Sequence, residues 1–171
     1  SPGYRILGDH ISGGMAEYLT VPVGNVFKIP DNIDFPTAAA PILVATTCWR
    51  MLFKRANLRI GETVLVVGAG GGVNSFSVQL CKAAGASVIA LTSSEEKMRK
   101  TEELGADHVI NYKKQPQWAI EVLRLTKGRG VDVVIDNVGA ATLSQSLRAV
   151  TRGGRIVTVG NTSGHLVSFD N

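Results

Sequence analysis

The residues best suited to chemistry fall in one run, Val66-Val67-Gly68-Ala69-Gly70-Gly71-Gly72-Val73-Asn74-Ser75. Glycines there would let backbone N–H groups approach an anion such as a pyrophosphate. A helix starting directly after them would add favourable partial charge. The candidate cofactor-binding residues of this turn are Gly68, Gly70, Gly71, Gly72 and Val73. The match to G-x-G-x-x-G is imperfect: counted from Gly68 the third glycine meets Val73, and counted from Gly70 it meets Ser75. A longer spacing, Gly68-x-x-Gly71-x-x-Asn74, puts an asparagine where the last glycine normally permits close helix–strand packing. Asn74 is therefore expected to need a slight local shift.

The next informative position is the end of the following strand. Dinucleotide folds that take NAD place an Asp or Glu there for the ribose 2′-hydroxyl. This chain has Leu91-Thr92-Ser93-Ser94, with no acid before Glu95 and with Lys97 close behind. Hydroxyls and a lysine at a helix start suit a 2′-phosphate better. Ser93, Ser94 and Lys97 are the candidates, and NADP (NADPH) is favoured over NAD. Ser93 or Ser94 can equally serve as the helix N-cap.

Other chemistries lack their residues. Cys48 and Cys81 are 33 positions apart and form no metal-binding or redox pair in sequence. Cys48 reads as a buried thiol. His10, His108 and His165 are dispersed, and no catalytic residue is assigned. Four residues after Tyr4, Tyr18 and Tyr112 stand Gly8, Pro22 and Pro116, so there is no Tyr-x-x-x-Lys. No Gly-Lys-Ser/Thr of a nucleotide-hydrolysing P-loop occurs. A methyltransferase would want an acid at Thr92-Ser93-Ser94.

The glycine turn needs a strand before it and a helix after it, and the chain supplies a series of both. Short β-branched runs start near residues 63, 87, 107, 131 and 155, with room for one helix in each gap. Near-continuous apolar strands separated by helices imply a parallel sheet covered on both faces. Val73, Phe76, Leu80 and Ala84 form a helical stripe ended by Gly85. Ser93 with Glu96 makes a capping box, closed by Gly105. Pro116 introduces a helix over Trp118 to Lys127, which Gly128 ends, and Leu143, Leu147 and Val150 form one more stripe. The fifth strand is read over Arg155–Val159. Val138 and Gly139 after the fourth strand, and Val159 and Gly160 after the fifth, lie at the carboxyl edge where open α/β sheets bind ligands. Before residue 60 the pattern differs. Gly14–Pro22 and Asn25–Pro30 read as strands with no helix between them. A helical stretch in two pieces follows to Ala56.

Composition agrees with an α/β domain. Of 171 residues 44% are hydrophobic and 19% charged, which excludes global disorder. The net charge of +4 is dispersed, with acids around Lys97-Met98-Arg99-Lys100, so nucleic acid is not an expected partner. No apolar run is long enough for a transmembrane helix, and the N-terminus shows no signal-peptide core. No membrane partner and a cytoplasmic location are expected.

Taken together, Gly13-Gly14-Met15-Ala16-Glu17-Tyr18, Val21-Pro22, Ile29-Pro30-Asp31-Asn32, Ala38-Ala39-Ala40, Gly61–Val66, the glycine turn, Leu104–Tyr112 and Gly130–Asp136 resemble the medium-chain dehydrogenase/reductase superfamily. This group includes zinc-type alcohol dehydrogenases and quinone oxidoreductases. The resemblance spans essentially the whole chain. It implies a doubly wound parallel Rossmann sheet of about five strands over residues 37–171, preceded over 1–36 by a small β-rich remnant of a GroES-like catalytic domain. The chain would then be a fragment, lacking most of the catalytic domain and whatever follows the fifth strand. By the same resemblance Thr47 packs near the nicotinamide and Tyr112 lies near the adenosine 2′-phosphate. Ser1 stands where many zinc-type members carry a structural-zinc cysteine, and Val44 where the zinc-dependent ones carry a catalytic-zinc cysteine. That points to the zinc-independent branch, and zinc is not expected in this chain. The implied activity is hydride transfer between a nicotinamide dinucleotide and a carbonyl, quinone or enone. The fragment alone would turn over little. A homo-oligomer is expected, with the fifth strand an exposed edge. The alternative is a non-catalytic interaction module on a degenerate Rossmann site.

Overall fold

A computed structural model describes residues 5–164, 166 and 168. Ser1 and His165, both considered above, lie outside the described residues. The chain divides into two compact units, residues 1–38 and 39–171.

In the first unit Leu7 and Ile11 form an isolated bridge around a turn at Gly8, whose φ of +84° is a glycine conformation. Val23–Asn25 is a single 3₁₀ turn. Helix α1 (Phe35–Ala39) starts behind Asp34, whose carboxylate accepts from the Thr37 N–H at 2.8 Å. The two expected strands, Gly14–Pro22 and Asn25–Pro30, do not form. A strand is stable only beside a partner, and among the described residues neither segment has one. The residue types of these two segments carry no information about what would pair with them.

The second unit is a five-stranded, wholly parallel sheet in the order β3-β2-β1-β4-β5. Its strands are β1 (Thr63–Val67), β2 (Ser87–Thr92), β3 (His108–Asn111), β4 (Val131–Asp136) and β5 (Val150–Thr158). Helices α2 (Ile42–Trp49), α3 (Gly72–Ala83), α4 (Glu95–Glu103), α5 (Trp118–Leu125) and α6 (Leu143–Ala149) surround it. A wider π turn, Arg50–Arg55, continues α2. The helical stretch in two pieces is thus as expected.

Strand alternation explains the two layers. Val64 and Val66 pack with Met51, Leu52, Val78 and Cys81 on one face. Leu65 and Val67 pack with Trp118, Val122 and Ala149 on the other. Both faces are dry, so the strands read as unbroken apolar runs. The amino ends of β1, β4 and β5 are tied by ions. Arg155 forks onto both oxygens of Glu62 at 2.8 and 2.9 Å. Arg129 forks onto Asp132, which also accepts from the Thr63 N–H.

Four local expectations are corrected. The Ser93–Glu96 capping box is absent, because α4 starts one residue later: Ser94 is the N-cap and its hydroxyl accepts from the Lys97 N–H at 3.3 Å. The fully buried face of α3 is Asn74, Ser77, Val78 and Cys81, with Val73, Phe76 and Leu80 flanking it half-buried. On α6 the buried side is Ser146 and Ala149, while Leu147 is exposed and Val150 already belongs to β5. The cause of the last is Asp136, a carboxyl group with no solvent exposure. Its oxygens accept from the Val138 and Gly139 N–H groups and from the Thr142 and Ser146 hydroxyls. A polar anchor, not a leucine stripe, seats this helix. β5 also begins before Arg155: Val150 pairs with Val131, and after an irregularity at Gly153-Gly154 pairing resumes at Arg155.

Candidate functional site

The chain runs outward from β1 through β2 to β3 and then returns to lay β4 on the other side of β1. The two loops that leave the carboxyl ends of β1 and β4 therefore part from each other. In open α/β sheets this crevice is where ligands bind.

On the β1 side the turn is built as a cradle. Gly68 has φ +79°, and Ala69 is fixed by its N–H to Leu91 O at 2.8 Å. Gly71 precedes α3 in an extended conformation, and no side chain caps the helix. The first-turn N–H groups are thus left for an external acceptor. A Cβ on Gly71 would meet nothing, and one on Gly72 would touch only Val44 at 3.4 Å. A Cβ on Gly70 would lie 2.9 Å from Lys97 Cδ and 3.2 Å from its Nζ. Lys97, on the first turn of α4, thus folds back over the glycine turn.

Lys97 has no carboxylate within ion-pair distance among the described residues. Glu95, the first acid after β2, is held elsewhere: Lys114 and the Asn111 amide both bind it, and these contacts keep its carboxyl below the usual range. Ser93 is half-buried and Ser94 is occupied as the N-cap. Thr92 is 1% exposed and its hydroxyl has no partner among the described residues.

Asn74 is no misfit. It is 2% exposed, and its amide nitrogen reaches Val67 O, Gly68 O at 2.9 Å and Asn137 Oδ1 at 2.7 Å. It fills the space left by the missing glycine contact and stitches the ends of β1 and β4 together. The shift expected from sequence is replaced by a hydrogen-bonded clamp.

Behind Gly68 lies a pocket of about 320 Å³, walled chiefly by Val67, Leu91, Tyr112, Trp118, Val138 and Thr142. Tyr112 is 38% exposed and its backbone N–H is anchored to Thr92 O at 3.0 Å. The structure thus unites Gly68, Tyr112 and Val138 in one pocket, and brings Lys97 against Gly70. A larger concavity along the β3 edge between α4 and α5 is lined by many charged groups and lies away from the crevice.

The remaining candidates are more distant links. Thr47 is half-buried on α2, its hydroxyl donated to Leu43 O at 3.1 Å. The next residue, Cys48, has its thiol against Val73 O and Ser77, which holds α2 against the start of α3. Gly139 cannot be anything larger, since a Cβ would lie 2.7 Å from Gly164 O. Val159 packs on the core and Gly160, at φ +70°, turns the chain toward that contact. Sequence reasoning missed Asn137, Thr142 and Trp118. Their side chains gain meaning only from the return of β4 to β1, although Asp136-Asn137 at a strand end was a usable signal.

Among the described residues no three His, Cys, Asp or Glu side chains converge, and both cysteines are buried. Burial pushes the Cys48 thiol up and the Cys81 thiol up to about 12, the neighbouring Cys48 adding to the second.

A family profile described as zinc-binding dehydrogenase matches residues 72–171. A zinc-type alcohol dehydrogenase-like protein of Schizosaccharomyces pombe is 39% identical over 92% of this chain and 46% of its own length. A solved NAD-dependent alcohol dehydrogenase superposes with a TM-score of 0.90 at 43% identity, over 96% of this chain and 48% of that one. The Escherichia coli quinone oxidoreductase complexed with NADPH superposes at 0.76 and 34% identity, over 84% of this chain and 43% of that one. The chain spans about half the length of the curated relatives it matches.

Proposed function

We propose, from the premise that this chain belongs to the zinc-binding dehydrogenase family of the medium-chain dehydrogenase/reductase superfamily, that it is the cofactor-binding portion of an NADP(H)-dependent oxidoreductase. Residues 37–171 are the Rossmann part of that reading and residues 1–36 the end of a GroES-like catalytic domain. The reaction is hydride transfer between the nicotinamide and a carbonyl, quinone or enone. The observation that carries the cofactor choice is Lys97, a cation unpaired among the described residues and folded over Gly70 at a strand end that offers hydroxyls and no free acid.

The bound dinucleotide supplies the hydride chemistry; this chain binds and orients it. The uncapped start of α3, with Gly70, Gly71, Gly72 and Val73, offers backbone N–H groups to the diphosphate. Gly68, Val138 and Tyr112 line an apolar pocket sized for the adenine end. Lys97, Ser93, Ser94 and Tyr112 face the 2′-phosphate in this reading, and Thr47, Gly139, Val159 and Gly160 border the nicotinamide half. No acid or base for proton transfer is assigned within the chain, and no step is routed through a metal. Both NAD-dependent and NADPH-complexed relatives exist, and the lysine and the missing acid are what support the NADP reading.

The test is calorimetric titration of the 171-residue chain with NADPH and with NADH at moderate salt. NADPH binding at least tenfold tighter than NADH is expected. The reverse preference would overturn the cofactor choice. A folded chain that binds neither would be an interaction module instead. The same proposal includes self-association of two copies through the free edge of β5, which is unpaired among the described residues. Sedimentation velocity at rising concentration should show a dimer, and a monomer throughout would remove this part.

A further inference from the structure

We infer that the amino ends of β1, β4 and β5 carry an anion-binding site, a concavity in which Arg55, Arg59 and Arg152 take a triphosphate group. It holds about 470 Å³. Three stretches distant in sequence build it: the end of the π turn at Arg55, the turn into β1 at Arg59 and the irregular start of β5 at Arg152. Glu62 and Asp132, which also line it, stand just before β1 and near the start of β4. The concavity thus lies at the end of the sheet opposite the glycine turn, and the site stands whether or not the chain binds a dinucleotide.

The balance of charge singles this place out. Both acids are already engaged. Glu62 receives the Arg155 fork and the Arg59 backbone N–H at 2.8 Å, and Asp132 receives the Arg129 fork. These contacts hold both carboxyls below their usual range, so they stay ionised and paired. Arg155 is engaged as well: its guanidinium also donates to Ala56 O at 2.7 Å and Asn57 O at 3.4 Å, which closes the end of the π turn. Arg55, Arg59 and Arg152 remain. They are exposed, and among the described residues none has a carboxylate within ion-pair distance or a side-chain hydrogen bond. Three such charges on one concave wall repel each other until an anion lies between them. The wall is also kept bare. A Cβ on Gly153, at φ +75°, would meet nothing, and one on Gly154 would lie 2.5 Å from Val150 Cγ2. Guanidinium forks match pairs of phosphate oxygens, and a triphosphate chain has oxygens enough for three of them. The volume suits a small molecule.

The probe is inorganic triphosphate, titrated calorimetrically into the full 171-residue chain at moderate salt, on a sample of one sedimenting species. Arg59→Ala and Arg152→Ala should each weaken binding about fivefold, the order of one charged hydrogen bond, and the double variant about twentyfold. Arg148→Ala, an exposed arginine outside the concavity, should bind within twofold of wild type. A second measurement needs no variant: in a ¹⁵N-labelled chain the Gly153 and Gly154 amide resonances should shift as triphosphate is added. Titration with ATP then separates the sources. Equal affinity with the same arginine dependence assigns a free phosphate chain, and affinity more than tenfold higher with that dependence assigns a nucleotide; either result keeps the site. Absence of binding by the folded chain would overturn it, as would an equal loss in Arg148→Ala. Shifts at Gly70, Gly71 and Gly72 with Gly153 and Gly154 unmoved would place the anion at the glycine turn and end the proposal. A single-stranded oligonucleotide that binds through Arg59 and Arg152 where triphosphate does not would assign the surface to nucleic acid instead.

Discussion

Lys97 lies across Gly70, its ammonium 3.2 Å from where a Cβ on that glycine would stand. One residue comes from the turn after β1 and the other from the first turn of α4. The contact exists because β1 and β2 are neighbours in register, Val67 beside Leu91. Lys97→Ala should weaken NADPH binding about tenfold and NADH binding little, as loss of one charge-assisted contact to a phosphate would. Calorimetry at two salt concentrations checks it. A variant that loses both cofactors equally would place Lys97 at the diphosphate instead.

Two alanine substitutions in the same turn should behave differently. At Gly68 the φ of +79° and the Val138 methyl at 3.3 Å oppose a side chain. Gly68→Ala should therefore destabilise the fold by about 1–2 kcal/mol. At Gly70 the nearest obstacle is the flexible end of Lys97, which can swing aside. Gly70→Ala should keep its Tm and lose dinucleotide affinity. Thermal melts and titrations of the pair separate the two costs, and equal melting losses would contradict the assignment.

The ion ties at the amino ends of the strands predict an acid limb. Hydrogen bonds from Arg155 hold Glu62 below its ordinary 4.5, and those from Arg129 hold Asp132 below its ordinary 3.8. Both folded values are depressed, so their contribution to stability is fully present above about pH 5. It is lost as the pH falls through the folded values. Chemical denaturation from pH 7 to 3 should show this decline. Glu62→Gln should cost about 1–2 kcal/mol at neutral pH and flatten the acid slope; an unchanged slope would mean the pair is strained rather than stabilising.

Asp136→Ala should be among the most damaging changes in the chain, at about 3 kcal/mol. It would leave the Gly139 N–H and the Thr142 and Ser146 hydroxyls without their shared acceptor. Asp136→Asn keeps an acceptor oxygen and should fall between. Urea unfolding of both variants gives the order, and a mild alanine variant would show that water replaces the carboxyl group.

The amino-acid sequence by itself determined the alternation of strands and helices from Thr63 onward, because apolar runs and glycine stops are local signals. It also located the glycine turn and the absence of an acid at Thr92-Ser93-Ser94, since both are matters of residue type. It could not supply partners. The two strands expected before residue 30 do not form among the described residues, because pairing depends on a neighbour that a local run of residue types does not name. The helix stripe over Leu143, Leu147 and Val150 failed because a buried carboxyl group at Asp136 outbid apolar spacing. Asn74 looked like a defect in one dimension. Only the return of β4 to the side of β1 brings Asn137 within 2.7 Å of it. Strand order is a long-range choice, and it is what turns a departure from the glycine pattern into a clamp between two strands.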